Sequence, residues 1–556
     1  MDDATELPRS NSGREPEPAG GAGTAARRWR AMPFIAVGVA MIIVDATIVN
    51  VAVPTIIREL HLGATGAEWL NSIYALVFAA LLISFGHAGD RWGRRRLFLL
   101  GAVIFVAASL IAATAPNGAV LIAGRFIQGI GGAMILPATL STVNAMFTGH
   151  ERAIAFAIWG STIGGFAALG PLAGGWLTTD FSWRWAFLVN LPIGAIVVIG
   201  ILFFIPETSD PTTRRGLDVP GNALAVIGFA GIVFALIEGV NYGWWNAIRA
   251  FTLASLKWPA AWISPVPVAL AIGVVALGAF VAVETRRRRR GSVVLVDLSL
   301  FAIRSFSAGN VAALVVSLGE FGLLFVLPLF LQGVLGYSAL GTGVLFLALA
   351  AGTLVAGGAT PQIAKLTSAR GVARTGLALE VIGIAGVAVV VSPSVGAWIL
   401  AIPLFVYGVG VGFATAQLTG VILTDVPVEQ SGRASGIQST ARQVGSALGI
   451  AVLGAIYLTR IGSVTERSVA GLPGVGKAVA SQVAALVRTT GGAAIQSLHG
   501  MPGGSALVAA ASGAAVDATR AVALTAALFI LVGLAATLLL KPAATPADGG
   551  GTGSRS

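Results

Sequence analysis

The chain has no cysteine among its 556 residues, which excludes disulfide bonds and thiolate metal sites. Charge is also scarce. Asp, Glu, Lys and Arg make up 11% of the sequence, against about 25% in a typical soluble protein. Only four histidines are present, His61, His87, His150 and His499, too far apart to form a ligand cluster. There is no nucleotide-binding glycine loop, no metal-ligand spacing and no catalytic triad pattern, so nothing points to an enzyme. The start of the chain lacks a cleavable leader pattern. Residues 1–31 and 542–556 are polar and rich in small residues, and read as disordered cytoplasmic tails.

What is abundant is apolar: 56% of the residues are hydrophobic, with 73 glycines. Apolar runs of about twenty residues recur along the chain, the length needed to cross a bilayer. They predict an all-α polytopic membrane protein of fourteen helices, at about 32–54, 69–88, 97–114, 118–146, 153–175, 185–204, 219–238, 262–284, 305–330, 340–362, 374–391, 397–421, 434–457 and 519–541. The net charge of +11 does not indicate nucleic acid, because the basic residues fall in short loops on alternate sides of these runs. With the N-terminus inside, the basic loops at 91–96, 214–215, 286–290 and 365–374 are all cytoplasmic, and so are both termini. The five arginines at 286–290 are read as a topology anchor. Trp244, Trp245, Trp258 and Trp262 form an aromatic interface belt around one outer loop. Segment 458–518 is expected outside the membrane, with amphipathic helical pieces.

An internal repeat divides the chain. Arg125-Phe-Ile-Gln-Gly-Ile-Gly-Gly-Ala133 matches Leu404-Phe-Val-Tyr-Gly-Val-Gly-Val-Gly412, and Arg152-Ala153 matches Arg433-Ala434, each about 280 residues further on. The expected organisation is an N-terminal six-helix half at 32–204, an inserted helix pair at 205–304 and a C-terminal six-helix half at 305–541. The repeat breaks at the charges, since Arg125 is matched by Leu404. Asp45 lies in an apolar run, where a carboxylate is expensive unless paired or neutral. At 1.5 Å per residue it sits about 20 Å from one end of its helix, and Arg125 about 11 Å from the opposite face, so the two share a depth. They are candidate proton-coupling partners; the plain alternative is a structural ion pair. Glu320, eight residues before Pro328, is an offset counterpart of Asp45 and a candidate for substrate or a second proton. Glu380, Arg442 and Gln443 join it, although Glu380 is shallow enough to snorkel, and Glu238 reads as interfacial.

Five segments in order resemble the major facilitator superfamily, specifically the fourteen-helix drug:proton antiporters of the EmrB/QacA type. They are Asp45-Ala-Thr-Ile-Val-Asn-Val-Ala-Val-Pro54, Gly86-His-Ala-Gly-Asp-Arg-Trp-Gly-Arg-Arg95, Arg125-Phe-Ile-Gln-Gly-Ile-Gly-Gly132, the stretch Gly160–Gly175, and Trp183-Arg-Trp-Ala-Phe-Leu-Val-Asn-Leu-Pro-Ile-Gly194. The resemblance implies a major facilitator fold with two six-helix halves. It also implies a proton-coupled exporter of hydrophobic or cationic small molecules in the cell membrane, of the multidrug-efflux, antibiotic-resistance kind, working by alternating access. Its gating parts would be Gly86, Asp90, Arg91, Gly93 and Arg94 in the loop after helix two, with Asp90 capping a helix end and pairing with basic neighbours. Gly164, Gly170, Pro171, Gly174 and Gly175 in helix five would complete them. No cofactor beyond the proton is implied; the partners are a small-molecule substrate, protons and lipid, with no nucleic acid, and the chain is expected to be a monomer. The same motifs fit a dedicated exporter of one metabolite or natural product. A non-transporting membrane receptor is the alternative from another class.

Overall fold

An apolar run in lipid satisfies its backbone within itself only as a helix, and the chain takes that course: nearly every described residue is helical. The computed structural model describes residues 22–538 apart from 148, 209–217, 254–255, 260–262, 424 and 427–430. The first group of helices is α1 (Ala22–Glu59), α2 (Ala64–Trp92), α3 (Arg94–Ala113), α4 (Gly118–Met146), α5 (Gly149–Asp180), the single turn α6 (Trp185–Leu188) and α7 (Asn190–Phe204). Then come α8 (Val219–Tyr242) and α9 (Pro265–Arg289), joined across a two-stranded antiparallel hairpin of β1 (Phe251–Leu253) and β2 (Leu256–Trp258). The last group is α10 (Arg304–Gly333), α11 (Ala339–Leu366), α12 (Ala369–Val390), α13 (Ala397–Leu423), α14 (Ser431–Ala470), α15 (Lys477–Thr489) and α16 (Gly504–Leu538). Among the described residues thirteen spans are long and apolar enough to cross a membrane. The expected run at 153–175 falls within α5, many of whose side chains lie outside the described residues.

Several boundaries differ from the sequence reading. Pro54, taken as the end of the first helix, lies inside α1, which continues to Glu59. A proline within a membrane helix is tolerated where neighbouring groups satisfy the freed backbone. The segment 458–518 is mostly helix. α14 runs on to Ala470, α16 starts at Gly504, and between them α15 buries Ala480, Val483, Ala484 and Val487 at helical spacing. The short hairpin between α8 and α9 was not expected.

Contacts sort the helices. α1 packs on α5 and α7, and α4 on α2 and α3; α13 packs on α11 and α12, and α10 on α14 and α16. α8 and α9 pack on each other, with α8 also touching α2 and α14. The first and last groups meet along two main seams, α5 against α11 and α2 against α14, with a smaller contact of α1 with α10. At the end of the bundle where α1 finishes, called distal below, hydrogen bonds cross these seams. Gln332 Nε2 donates to the Val51 carbonyl at 2.9 Å, and the Leu340 amide donates to Thr179 Oγ1 at 2.8 Å.

Without a hydrophobic drive between helices, close approach depends on small residues. A Cβ at Gly445 would overlap the Leu314 carbonyl, and one at Gly449 the Leu318 carbonyl, so α14 rests directly on the backbone of α10. A Cβ at Gly278, on α9, would meet nothing within 4 Å. Gly449→Val is therefore expected to destabilise the purified protein by about 1–3 kcal/mol, the usual penalty of overpacking. Gly278→Val should leave the thermal unfolding temperature unchanged. Equal melting temperatures for the two variants would contradict this packing.

Candidate functional site

Asp45, on α1, and Arg125, on α4, meet inside the first group of helices, as their matched depths predict. Arg125 Nη1 donates to Asp45 Oδ2 at 2.5 Å, and the two residues are 1% and 0% exposed. The carboxylate is saturated by neutral donors as well. Gln128 Nε2 reaches Asp45 Oδ1 at 3.0 Å, and Asn190 Nδ2 reaches the same oxygen at 2.7 Å. Ser109 Oγ ties these amides together, accepting from Gln128 at 2.8 Å and from Asn190 at 3.2 Å. Arg125 is held from three further sides. Its Nη1 donates to Gln128 Oε1 at 2.9 Å, its Nε donates to the Leu70 carbonyl at 3.2 Å, and its guanidinium carbon lies 4.2 Å from the Tyr74 ring centroid. A buried ion pair needs such supplementary hydrogen bonds to offset desolvation.

Sequence reasoning found the two charges and missed Gln128, Asn190, Ser109 and Tyr74. Gln128 carried a usable signal: at i+3 from Arg125 it shares that residue's helix face. Asn190 lies in one of the quoted segments, a polar residue opening an otherwise apolar helix.

The glycines of α5 press against the segment that follows Asp45. A Cβ at Gly170 would overlap Thr47 Oγ1, and one at Gly174 the Ile48 carbonyl. Gly175 faces the other group, where a Cβ would come within 2.5 Å of the Ala339 carbonyl of α11. The Pro171 carbonyl lies as close to a Cβ built at Gly343. α5 is thus wedged, backbone to backbone, between the helix bearing Asp45 and a helix of the second group. The placement of the Gly164 side lies outside the described residues.

At the opposite end, Gly93 caps α2 with φ of 111°, a conformation that favours glycine, and a Cβ there would run into the Glu207 carboxylate. Glu207, which the sequence reading did not single out, organises this loop. It accepts from the Arg95 amide at 3.1 Å and pairs with Arg96 at 3.5 Å. Arg94 donates to the Ser141 carbonyl at 3.3 Å, joining α3 to α4. A Cβ at Gly86 would meet Pro137 at an ordinary 3.7 Å. The expected capping and pairing with basic neighbours by Asp90 falls on a side chain outside the described residues, as does the side chain of Arg91.

In the last group, Glu320 on α10 and Glu380 on α12 are both buried, and both interact electrostatically with Arg442 of α14. Glu380 is not a snorkelling side chain. α12 begins at Ala369, earlier than expected, which puts Glu380 about 16 Å along the helix, and among the described residues its two carboxyl oxygens have no hydrogen-bond partner. Gly410 provides its seat, since a Cβ there would come within 2.7 Å of Glu380 Cγ. Arg442 and Gln443 are half-buried. Glu238 is more than interfacial, because it accepts from Trp69 Nε1 at 2.9 Å and so ties α8 to α2.

The Major Facilitator Superfamily profile matches residues 35–450. A probable actinorhodin transporter of Streptomyces coelicolor is 33% identical over 451 residues, covering 80% of this chain and 75% of that protein. The multidrug resistance protein Stp of Mycobacterium tuberculosis is 32% identical over 442 residues, 79% of this chain and 78% of that one. The multidrug efflux pump LfrA of Mycolicibacterium smegmatis is 32% identical over 435 residues, 78% and 82% respectively. Among solved structures, a bacterial homolog of the human lysosomal transporter Spinster, inward-facing and unoccupied, superposes with a TM-score of 0.58 at 16% identity over 92% of this chain and 98% of that one, a likeness of fold.

The Asp45 network makes a stability prediction independent of function. Asp45→Asn leaves Arg125 buried beside a neutral group and is expected to cost about 3–5 kcal/mol. Asp45→Asn combined with Arg125→Gln should recover much of that loss in a double-mutant cycle of unfolding in detergent. Simple additivity of the two changes would count against a coupled pair.

Proposed function

This chain belongs to the major facilitator superfamily, and from that premise we propose that it is a proton-coupled exporter of hydrophobic or cationic small molecules. We take α5 as a fourteenth span, in the arrangement of the fourteen-helix antiporters, with both termini cytoplasmic, the distal end extracytoplasmic and the cell membrane as its location. The observation that carries the reading is the buried Asp45–Arg125 pair beside the glycine wedge of α5. It joins a group able to exchange a proton to a helix in backbone contact with both moving parts. Relatives named as multidrug efflux pump, multidrug resistance protein and antibiotic resistance proteins support export as the direction and drugs as the substrate class.

In the proposed cycle a proton enters from outside, reaches Asp45 and weakens its hold on Arg125, and substrate leaves by the alternate state. Glu320 and Glu380, with Arg442 between their fields, serve substrate or a second proton, and the proton is the only coupling ligand. One proton moving inward is worth about 2.3 kcal/mol per 100 mV, enough for roughly a 50-fold gradient of a neutral substrate. A monovalent cation exchanged one for one moves no net charge, so a second carboxyl matters most for cationic substrates. A narrower reading, a dedicated exporter of one natural product, is favoured by relatives named for single compounds, actinorhodin and tetracenomycin C.

Transport into proteoliposomes under an imposed pH gradient tests both readings, with a panel of lipophilic cations and neutral polycyclic compounds. Acid-driven flux of several panel members is expected for the wild type, with at least a tenfold loss in Asp45→Asn. Glu320→Gln and Glu380→Gln should impair cations more than neutral compounds. Flux of a single compound selects the dedicated exporter, and absence of acid-dependent flux for every compound sinks the antiporter.

A further inference from the structure

Like Glu380, Glu68 is fully buried, and among the described residues neither of its carboxyl oxygens has a hydrogen-bond partner. The sequence reading left it outside the second helix, but α2 starts at Ala64, which sets Glu68 about 6 Å inside the distal end. It also lies on a seam. Its carboxyl rests on the backbone of α14 at Gly454, where an added methyl would overlap Oε1. The side chain therefore comes from one half of the molecule and its seat from the other.

No cation answers this acid among the described residues. From α8 the nearest charge is a second carboxylate, Glu238, already bonded to Trp69 and Asn241. On α4, Arg125 is committed to Asp45 of α1, and at the foot of α1 Glu59 accepts from Trp183. On α14 the Tyr457 hydroxyl donates to the Gly491 carbonyl, and Arg460 is paired with Asp517. α15 contributes Arg488, which packs on Gly462, and Lys477 at its start. The basic residues of α3 lie at the opposite end of the bundle. An ionised carboxylate buried in this seam without a partner would cost many kcal/mol, whereas the neutral acid fits.

We propose that Glu68 is a proton-binding site of the distal seam, separate from the Asp45 network, which takes up a proton from the extracytoplasmic side each time that seam closes over it. When α2 and α14 part, Glu68 faces water and ionises; when they meet on Gly454, the proton is trapped. Closure of the distal gate is thereby linked to outside acidity. The proton returns to the side it came from, so this site regulates the gate and carries no transport stoichiometry. The inference rests on the alternating-access reading only in requiring that the seam open.

The test reads the gate itself. The absence of native cysteine allows spin labels at Asp180→Cys and Ser481→Cys, two exposed positions at the distal end, one in each half of the molecule. In lipid nanodiscs the closed-to-open ratio of the wild type should rise by up to about tenfold per pH unit as pH falls from about 8 to 5, the slope of one proton. Asp45→Asn should keep a one-proton slope even with transport abolished, which separates this result from failure of the exporter reading. Glu68→Gln should flatten the slope, as should Glu68→Met, which guards against a folding defect specific to either variant. An unchanged slope in either variant overturns the proposal, and so does a slope lost in Asp45→Asn but kept in Glu68→Gln.

Discussion

The structure depends on a carboxylate that has been given every partner it needs. Asp45 accepts from Arg125, Gln128 and Asn190, drawn from α4 and α7, while Ser109 of α3 holds the two amides in place. Four helices of the first half are thereby fixed around one buried point. A charge in lipid is tolerable only under such saturation, and each added hydrogen bond narrows the geometry in which the pair persists. The network ties these four helices to one another, as the proposed rocking motion of one half against the other requires.

Around that unit the helices touch through bare backbone. Gly170 and Gly174 lay α5 along the turn that follows Asp45, while Gly175 lays the same helix against α11. Two properties follow from one composition. Glycine contacts bring carbonyls and Cα atoms close enough for dispersion to hold the helices together in lipid. They also lack interdigitated side chains, so a small shift along the contact meets no locked knob. Glycines such as Gly170, Gly174 and Gly175 thus serve close packing and leave the helix contacts free of locked side chains.

What was legible in the sequence follows from cost. Asp45 and Arg125 stood out because a full charge in an apolar run is expensive, and their pairing followed from nothing more than helical rise. Gln128 and Asn190 were not legible, because neutral amides are cheap enough in membrane helices to occur without function. The membrane-helix character of the chain could be read from run length, but α14 and α16 could not be followed into 458–518, where Gly, Ala and Ser dilute the apolar signal although the helices continue. Glu68 was hidden for a related reason. Beside a predicted loop an acid looks solvated, and only the arrival of α14 and α15 over that end buries it. Glu380 was misjudged through a helix start five residues too late.

The buried acids fall into two kinds, and the difference bears on how protons can do work. Among the described residues Glu68 and Glu380 have no hydrogen-bond donors, so a proton settles on them without displacing one. Asp45 cannot take a proton so simply. Its Oδ1 is occupied by two amides, leaving Oδ2, and a proton there displaces Arg125. The guanidinium then keeps Gln128 Oε1, the Leu70 carbonyl and the face of Tyr74, of which the last two belong to α2. Protonation of Asp45 on the proposed cycle therefore transfers the hold of Arg125 from α1 to α2. That is the same helix whose other face presents Glu68 to the distal seam. On the proposed readings, protonation of the donor-saturated acid drives movement, whereas closure over the unpartnered acid takes up a proton from solvent. On these two proposals one helix, α2, links the central charge, which works across the proton gradient, to an outer gate that responds to outside acidity alone.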